Sequence, residues 1–541
     1  MAEDLTLFWG DTHHNSYQHY VQDPPLMELL GFCSSYLDFY TGAYYTPAYT
    51  KAPALPEAMR EVAGLEGGHL SEALPESGVG WTGVNLEDLK DPDAMAREWT
   101  EFQEATTHWN RPGRFVAFPG YEWQGNGRWG DLNVTYREEG HPIVTVPTVR
   151  ELYARLRNMP AIAVPHHTGY YVGQRAPHWE ACDDSVSPYA ELYSIHGCSE
   201  TDEEWIGLRS NAHMGPGTAG GTYQRALDLG LHLGAICSTD NWTNMPGYWG
   251  HGLMGCYASE LTRESLWEAF LARRVYGVTG DRIRLEFACN GFPMGSILQH
   301  ADRREFSVSV RGADAIDRIE LLKNGRAIAT ACHQDAWSQP EPARQTRFKM
   351  RIEPGWGPRL GEIPRGNQVW QGELELSEGR FVGWEPCWVN RGNTAPVLEG
   401  QHARFSMVSL QAYVDRQAQG ATLFEFETRP GAQLTVRLNG LEESGPVAEF
   451  AAGSRIMWFR DDCIKLVRET TGVVPDTARR GDVYYQMANK AKIHKAIPEA
   501  GFQATLEAVD SEPLESEANY RVCVEQRNGQ RAWSSPIWVK G

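Results

Sequence analysis

At 541 residues and a formal charge of −20, the chain exceeds one ordinary domain, and its acidic surface argues against nucleic acid or anionic membrane as the main partner. The apolar fraction of 41% supplies large cores, and no stretch resembles a membrane span. Ten cysteines are scattered from Cys33 to Cys523 without a C-x-x-C pair, which argues against a disulfide framework and a thiolate zinc site.

The first ten residues have no basic region and no long apolar run, so no signal peptide is expected and the default location is cytoplasmic. Gly10-Asp11-Thr12-His13-His14-Asn15 then reads as the end of a buried strand. Residues two apart share a strand face. Asp11, His13 and Asn15 therefore point one way and His14 the other. Residues 60–90 read as a surface loop.

Asp91-Pro92 opens a helix, with Asp as N-cap and Pro in the first turn. Met95, Trp99, Phe102, Thr106 and Trp109 fall on one face of it. Asn110-Arg111-Pro112-Gly113 ends the helix, Phe115 to Phe118 forms a buried strand, and Glu122 follows in Gly120-Tyr121-Glu122-Trp123. A carboxylate at the mouth of a buried strand is costly unless it is paired or metal-bound. The grammar repeats. Thr148-Val149-Arg150-Glu151 is a capping box, a helix runs to about Met159, and Ala161 to Val164 leads into His166-His167. Tyr193-Ser194-Ile195-His196-Gly197 fits the same series. After a loop at 200–222 comes a helix near Arg225–Leu229, then Leu233 to Cys237 ends at Asp240. A helix near Thr262–Arg274 precedes the strand Val275 to Val278.

Strand–helix alternation over residues 1–282 predicts a parallel sheet or barrel. From about residue 283 to 541, short alternating segments and Asn-Gly turns at Asn324-Gly325, Asn439-Gly440 and Asn528-Gly529 predict an all-β, sandwich-like region, with a second unit nested near 380–455.

Successive strand ends carrying imidazoles and carboxylates are how a β/α barrel builds a metal centre at its C-terminal face. The donor types suit manganese, zinc or iron. Fourteen of the 17 histidines lie at or before His300, which places this chemistry in the first half. Taken singly, Asp11 and His13 could cap a turn, Glu122 could pair with an arginine, each histidine could be a satisfied core residue and Asp240 could be an N-cap. Their recurrence after successive strands favours the metal site. Because adjacent side chains diverge along a strand, one of His166 and His167 is expected as a ligand and the other at the rim. Aromatic residues are dense beside these segments. Trp123, Tyr170 and Trp242 are candidate substrate contacts, with His251 and Arg282 as secondary ones.

Gly-Asp-Thr-His, Gly-Tyr-Glu-Trp, Pro-His-His-Thr-Gly, Tyr-Ser-Ile-His-Gly-Cys-Ser-Glu and Ser-Thr-Asp-Asn, taken in order, resemble the PHP (polymerase and histidinol phosphatase) superfamily, in a branch with a C-terminal β region. The resemblance implies a distorted (β/α)7 barrel followed by the β region, and a centre of one to three metal ions. It implies His13, Glu122, His167, His196 and Asp240 as ligands, with Glu122 bridging, and phosphoester chemistry. The family's first His-x-His reads His13-His14-Asn15 here, which makes Asn15 the adjacent ligand candidate. Its Asp-His near Asp38 lacks the His, and its late Asp-x-His reads Asp240-Asn241-Trp242.

These departures leave a centre of one or two divalent ions. With few cations around it, such a centre suits a less charged electrophile: a carboxylic ester, carbamate, amide or lactone. The expectation is therefore a metal-dependent hydrolase acting on a small molecule, with Asp240 or His166 moving the proton. The rival readings are a PHP-type phosphoesterase and a carbohydrate-binding or glycan-degrading protein without a metal. A homo-oligomer is compatible with the sequence.

Overall fold

The computed structural model describes residues 5–17, 25–46, 92–125, 128–173, 175–203, 216–241, 245–333, 341, 343–356, 368–409, 419–473, 485 and 488–541. The expected loop at 60–90 and residue Trp242 lie outside the described residues, as does the middle of the loop at 200–222.

Among the described residues, the first half is built on eleven strands: β1 (Thr6–Ser16), β2 (Phe39–Tyr45), β3 (Val116–Phe118), β4 (Gly120–Trp123), β5 (Asp131–Tyr136), β6 (Ala161–His166), β7 (Tyr189–Ser194), β8 (Gly197–Cys198), β9 (Gly234–Cys237), β10 (Leu253–Ala258) and β11 (Val275–Val278). β1 is buried from Trp9 to Ser16, as expected of a strand covered on both faces. The main sheet runs β11, β10, β1, β2, β4, β5, β6, and β3 also pairs with β2. A smaller sheet holds β8, β7 and β9.

Strand–helix alternation predicted parallel neighbours throughout, and the pairing is mixed. β1–β2, β2–β4 and β7–β9 are parallel, whereas β1–β10, β4–β5, β5–β6 and β10–β11 are antiparallel. Between β4 and β5 the reason is chain length. The loop at 124–130 is too short for a crossover, so the strands form a hairpin. The ladders do not close into a ring among the described residues. The chain after β9 nevertheless ties the two sheets together. Asp240 N donates to His13 O at 2.7 Å, Asn15 N to Asn241 O at 2.9 Å and Ile195 N to Thr239 O at 3.1 Å.

The helices fall where their sequence signals lie. One spans Pro92–Trp109 and buries Trp99, Phe102 and Ala105. Another spans Val149–Leu156, with both halves of the Thr148–Glu151 capping box formed. Thr148→Ala removes the side-chain acceptor and is expected to cost about 1 kcal/mol, read as a lowered urea midpoint.

In the second half, Asn324-Gly325 and Asn439-Gly440 have positive φ at both positions, as two-residue hairpin turns require. They join Ile316–Lys323 to Arg326–Cys332 and Gln433–Leu438 to Leu441–Pro446. Two antiparallel sheets enclose a core that draws residues from Phe348 to Ala496. The last strands return to the first half. Arg531–Ser534 pairs with β11, so the main sheet crosses the expected boundary at residue 282. Asp281 sits at this junction. Its Oδ1 meets Arg351 Nη2 at 2.5 Å and accepts from Trp249 Nε1 at 2.7 Å, and its Oδ2 accepts from Gln526 at 2.9 Å and Asn528 at 2.7 Å. Among the described residues, no helix is long and apolar enough to cross a membrane.

Candidate metal centre

Eight side chains from distant strand ends converge. His13, Glu122 and His166 bring ligand atoms within 4.8 Å of one another, and so do His167, His196 and Asp240. Two further triads, Asp131–His166–His167 and His13–Glu191–Asp240, overlap them. All eight residues are buried.

Two imidazoles are held by carboxylates on one nitrogen and present the other to the cluster. His13 Nδ1 lies 2.9 Å from Glu191 Oε2, which also accepts from Ser238 Oγ at 2.5 Å. His13 Nε2 then faces Asp240 Oδ1 at 3.3 Å and Glu122 Oε2 at 4.0 Å. His167 Nδ1 lies 3.0 Å from Asp131 Oδ2, and its Nε2 lies 2.9 Å from Asp240 Oδ2. His196 Nε2 meets the same Asp240 oxygen at 3.0 Å. His166 Nε2 lies 3.6 Å from Glu122 Oε1. A carboxylate behind a ligating histidine fixes its tautomer and raises its basicity.

The electrostatics follow from this enclosure. Burial alone would raise the Asp240 pKa, but His13, His196 and His167 hold it well below the usual carboxylate range. Glu122 is likewise lowered, its burial outweighed by His13 and His166. Burial opposes the charging of His13, but Asp240 and Glu191 together raise its pKa well above normal. His167 is lowered by burial, Arg175 and His166.

A divalent cation fits these residues. His13 Nε2, both nitrogens of His166, Glu122 Oε2, Asp131 Oδ1 and Asn15 Oδ1 are buried without a hydrogen-bond partner among the described residues. Each such atom costs about 1–3 kcal/mol if left unsatisfied. Nitrogen and carboxylate donors without a thiolate suit manganese, iron or zinc.

The expected ligands His13, Glu122, His167, His196 and Asp240 are all brought together. The structure departs from the sequence reading at several points. His166 and His167 both join the cluster, although strand alternation separates adjacent side chains. The reason is that β6 ends at His166 and His167 adopts φ 51°, which breaks the alternation. Asp240, at φ 44°, makes a similar turn. Such left-handed backbone is uncommon outside glycine and concentrates at functional sites. Asp240, not Glu122, is the carboxylate that faces both principal triads. Asn15 reaches the cluster through its amide nitrogen, which donates to Asp240 Oδ1 at 3.3 Å.

Asp11 is a strut. It accepts from the backbone of His13 and Thr239 and from Gly247 N, and so clamps the Asp240 loop to β1. His14 points away, toward Tyr40, as its alternation requires.

Among the substrate-contact candidates, the Tyr170 ring packs against His167 and His196. His251 is half-buried beside Tyr248, and desolvation there pushes its pKa down to about 4 against the pull of Asp11. Trp123 instead packs into the core and donates to Val146 O, because its strand neighbour Glu122 takes the cluster-facing side. Arg282 lies over the Trp9 ring at 5.9 Å. Trp9 is four residues before His13, about 13 Å along an extended strand, so Arg282 sits outside the cluster.

The sequence reading missed Asp131, Glu191 and Arg175. Arg175 Nε donates to Asp131 Oδ2 at 2.6 Å, and its Nη2 lies 3.9 Å from Glu122 Oε1. A charged residue inside the apolar run Tyr189–Ser194 was the available signal for Glu191. Glu191→Gln and Asp131→Asn are each expected to weaken metal affinity by about 10- to 100-fold, measured by competition with a metallochromic chelator.

Residues 211–310 match a family described as "Protein of unknown function (DUF3604)". An uncharacterized protein of Chlamydia pneumoniae is 24% identical over 257 residues, covering 43% of this chain and 40% of that protein. One from Chlamydia muridarum is 29% identical over 155 residues, covering 26% and 25%. The chain thus spans well under half the length of these relatives. A solved two-domain protein of Bacteroides vulgatus, containing a predicted PHP-like metal-dependent phosphoesterase, covers 82% of this chain and 96% of its own. At 9% identity and a TM-score of 0.32, that likeness carries no inference about this chain.

Proposed function

We propose that this chain is a metal-dependent hydrolase whose centre holds one or two divalent ions. The observation that carries the reading is the set of buried ligand atoms on His13, His166 and Glu122 that have no hydrogen-bond partner among the described residues, set against carboxylate-backed histidines. His13, Glu122 and His166 would hold one ion. His167, His196 and Asp240 would hold a second, with Asp240 shared. A divalent ion bound here lowers the pKa of a coordinated water and polarises the oxygen of a scissile group.

The chain's own residues do the rest. Glu191 and Asp131 orient His13 and His167. Asp240 has both oxygens engaged, which suits it to hold the ions rather than to carry the proton. Tyr170, packed against His167 and His196, and His251 would contact the substrate. On this reading β1 to β11 would carry the site as an unclosed variant of a PHP-type barrel, with the region after residue 282 as a second unit joined to it through β11.

The substrate class is ester-type: a carboxylic ester, carbamate, amide or lactone. Asp131 already neutralises Arg175, so the site offers little spare positive charge to a dianion. A second reading, phosphoester hydrolysis, is favoured by the same Arg175, whose guanidinium spans Asp131 and Glu122 and matches a phosphate's geometry. Assaying aryl acetates beside aryl phosphates with manganese, zinc and iron separates the two. Turnover of the acetates alone supports the first reading, and turnover of the phosphates alone replaces it with the second. Full activity after chelation and dialysis removes both and favours a metal-free glycan-degrading protein.

A further inference from the structure

A second concave site lies where β1 meets the β region. A cavity of about 670 Å³ there is lined by Trp9 of β1 and by Phe381 of the β region. Its wall carries Arg282, Arg284, Arg311, Arg347, Lys349 and Arg380, against two carboxylates, Glu385 and Glu425. This concentration of cations stands in a chain whose formal charge is −20.

Among the described residues, five carboxylates face the six cations of the wall, Glu499 reaching Arg311 at 4.0 Å and Asp38 lying beside Arg282, so the wall keeps an excess of positive charge. Glu425 pairs with Arg311 and lies 3.5 Å from Arg347, while Glu385 takes Lys349 at 2.7 Å. Glu427, behind the wall, takes Arg347 at 2.7 Å and Arg380 at 2.9 Å. Arg282 donates to Tyr36 O and is drawn to Asp38 and Glu385, whereas Arg284 forms no ion pair among the described residues. Arg284 also stands directly across the ladder from Arg311. Like charges facing one another across two strands are destabilising, and an anion between them reverses the sign of that contribution. Lys349 has only 2% of its side chain exposed, so this cation is built into the fold rather than free in solvent.

The chemistry of the wall selects the ligand. Guanidinium forks bind tetrahedral oxyanions through paired hydrogen bonds, a geometry that an ammonium does not supply. Five arginines around a volume typical of small-molecule pockets match a compact anion with several charged groups rather than one. We propose that this cavity binds a small molecule carrying two or more phosphate or sulfate groups, at a site separate from the metal centre. Because its wall draws on β1, on the strand Arg284–Cys289 and on the sandwich strands Thr346–Gly355 and Arg380–Pro386, occupancy ties the second half of the chain to the sheet that carries the centre.

Titration calorimetry on the full chain at about 0.15 M salt tests this with four probes: inorganic phosphate, pyrophosphate, tripolyphosphate and a trisulfated disaccharide. Saturable binding of the multiply charged probes, tighter than that of phosphate, is expected. Preference between the last two probes distinguishes a phosphorylated from a sulfated ligand. Arg284→Gln and Arg347→Gln each lower the affinity about tenfold, and Glu122→Gln leaves it unchanged. Arg284 is exposed and unpaired among the described residues, so its replacement leaves no carboxylate stranded. Three results overturn the proposal. The first is no probe binding more tightly than about 1 mM. The second is binding unaltered in both arginine variants. The third is binding lost in Glu122→Gln, which would place the anion at the metal centre instead.

Discussion

Asp240→Asn is expected to lose bound metal and to reduce turnover by more than about 100-fold. The magnitude follows from position. Groups that merely orient a metal ligand are worth about 10- to 100-fold in metal affinity or activity, and Asp240 stands one step closer. One of its oxygens faces His13 Nε2 at 3.3 Å, while the other faces His167 and His196 at 2.9 and 3.0 Å. An amide keeps the shape but removes the charge that these imidazoles hold ionised. The comparison with Glu191→Gln is informative. Both variants remove a carboxylate from His13, but only Asp240 also serves the second triad. Metal content and turnover measured on both should rank Asp240→Asn as the more severe. The reverse ranking would make Glu191 the shared group.

Asp281→Ala is expected to destabilise the fold by about 3–5 kcal/mol, the range for breaking a buried ion pair by removing one partner. Arg351, with 7% of its side chain exposed, loses its carboxylate. Trp249, Gln526 and Asn528 lose their acceptor. Arg380→Ala should change stability by about 1 kcal/mol or less, because Arg380 is largely exposed and solvent screens its contact with Glu427. The urea midpoint reports both.

Acid shows the same dependence. Burial raises the Asp281 pKa, but Arg351 and its hydrogen-bond donors hold it below the ordinary value of 3.8. A depressed carboxylate contributes stability that is present above the unfolded pKa. That contribution fades as pH falls below 3.8 toward the lower folded value. The wild type should therefore lose stability between about pH 4 and its folded pKa, and Asp281→Ala should lack this component. If the variant's midpoint matched that of the wild type at neutral pH, the junction would not depend on this pair.

How much of this was legible in the sequence depended on range. Local rules sufficed for the Thr148–Glu151 cap, the helix opening at Pro92 and the Asn-Gly hairpins, because each signal lies within a few residues of the feature it makes. The ligand-bearing strand ends were legible because a histidine or acid closing an apolar run is conspicuous. The supports of those ligands were not. Asp131 enters through an antiparallel hairpin, β4–β5, and nothing in an alternating pattern distinguishes that pairing from a parallel one. His166 and His167 share the cluster through a positive φ that no periodicity encodes. Arg282 reads as a neighbour of the centre in sequence. It joins Arg347 and Arg380 only because strands from the distant sandwich fold back against β1.

The central claim is that His13, Glu122, His166, His167, His196 and Asp240 surround a divalent cation. The most direct measurement is elemental analysis of the full chain purified without added metal, alongside thermal melts before and after chelation. The account predicts about one or two equivalents of manganese, iron or zinc. It also predicts a melting temperature that falls on chelation and returns when the ion is restored, since a ligand held at 1,000 times its dissociation constant stabilises by about 4 kcal/mol. A protein that carries no transition metal, and whose melting curve does not move when any of the three ions is added, would contradict it.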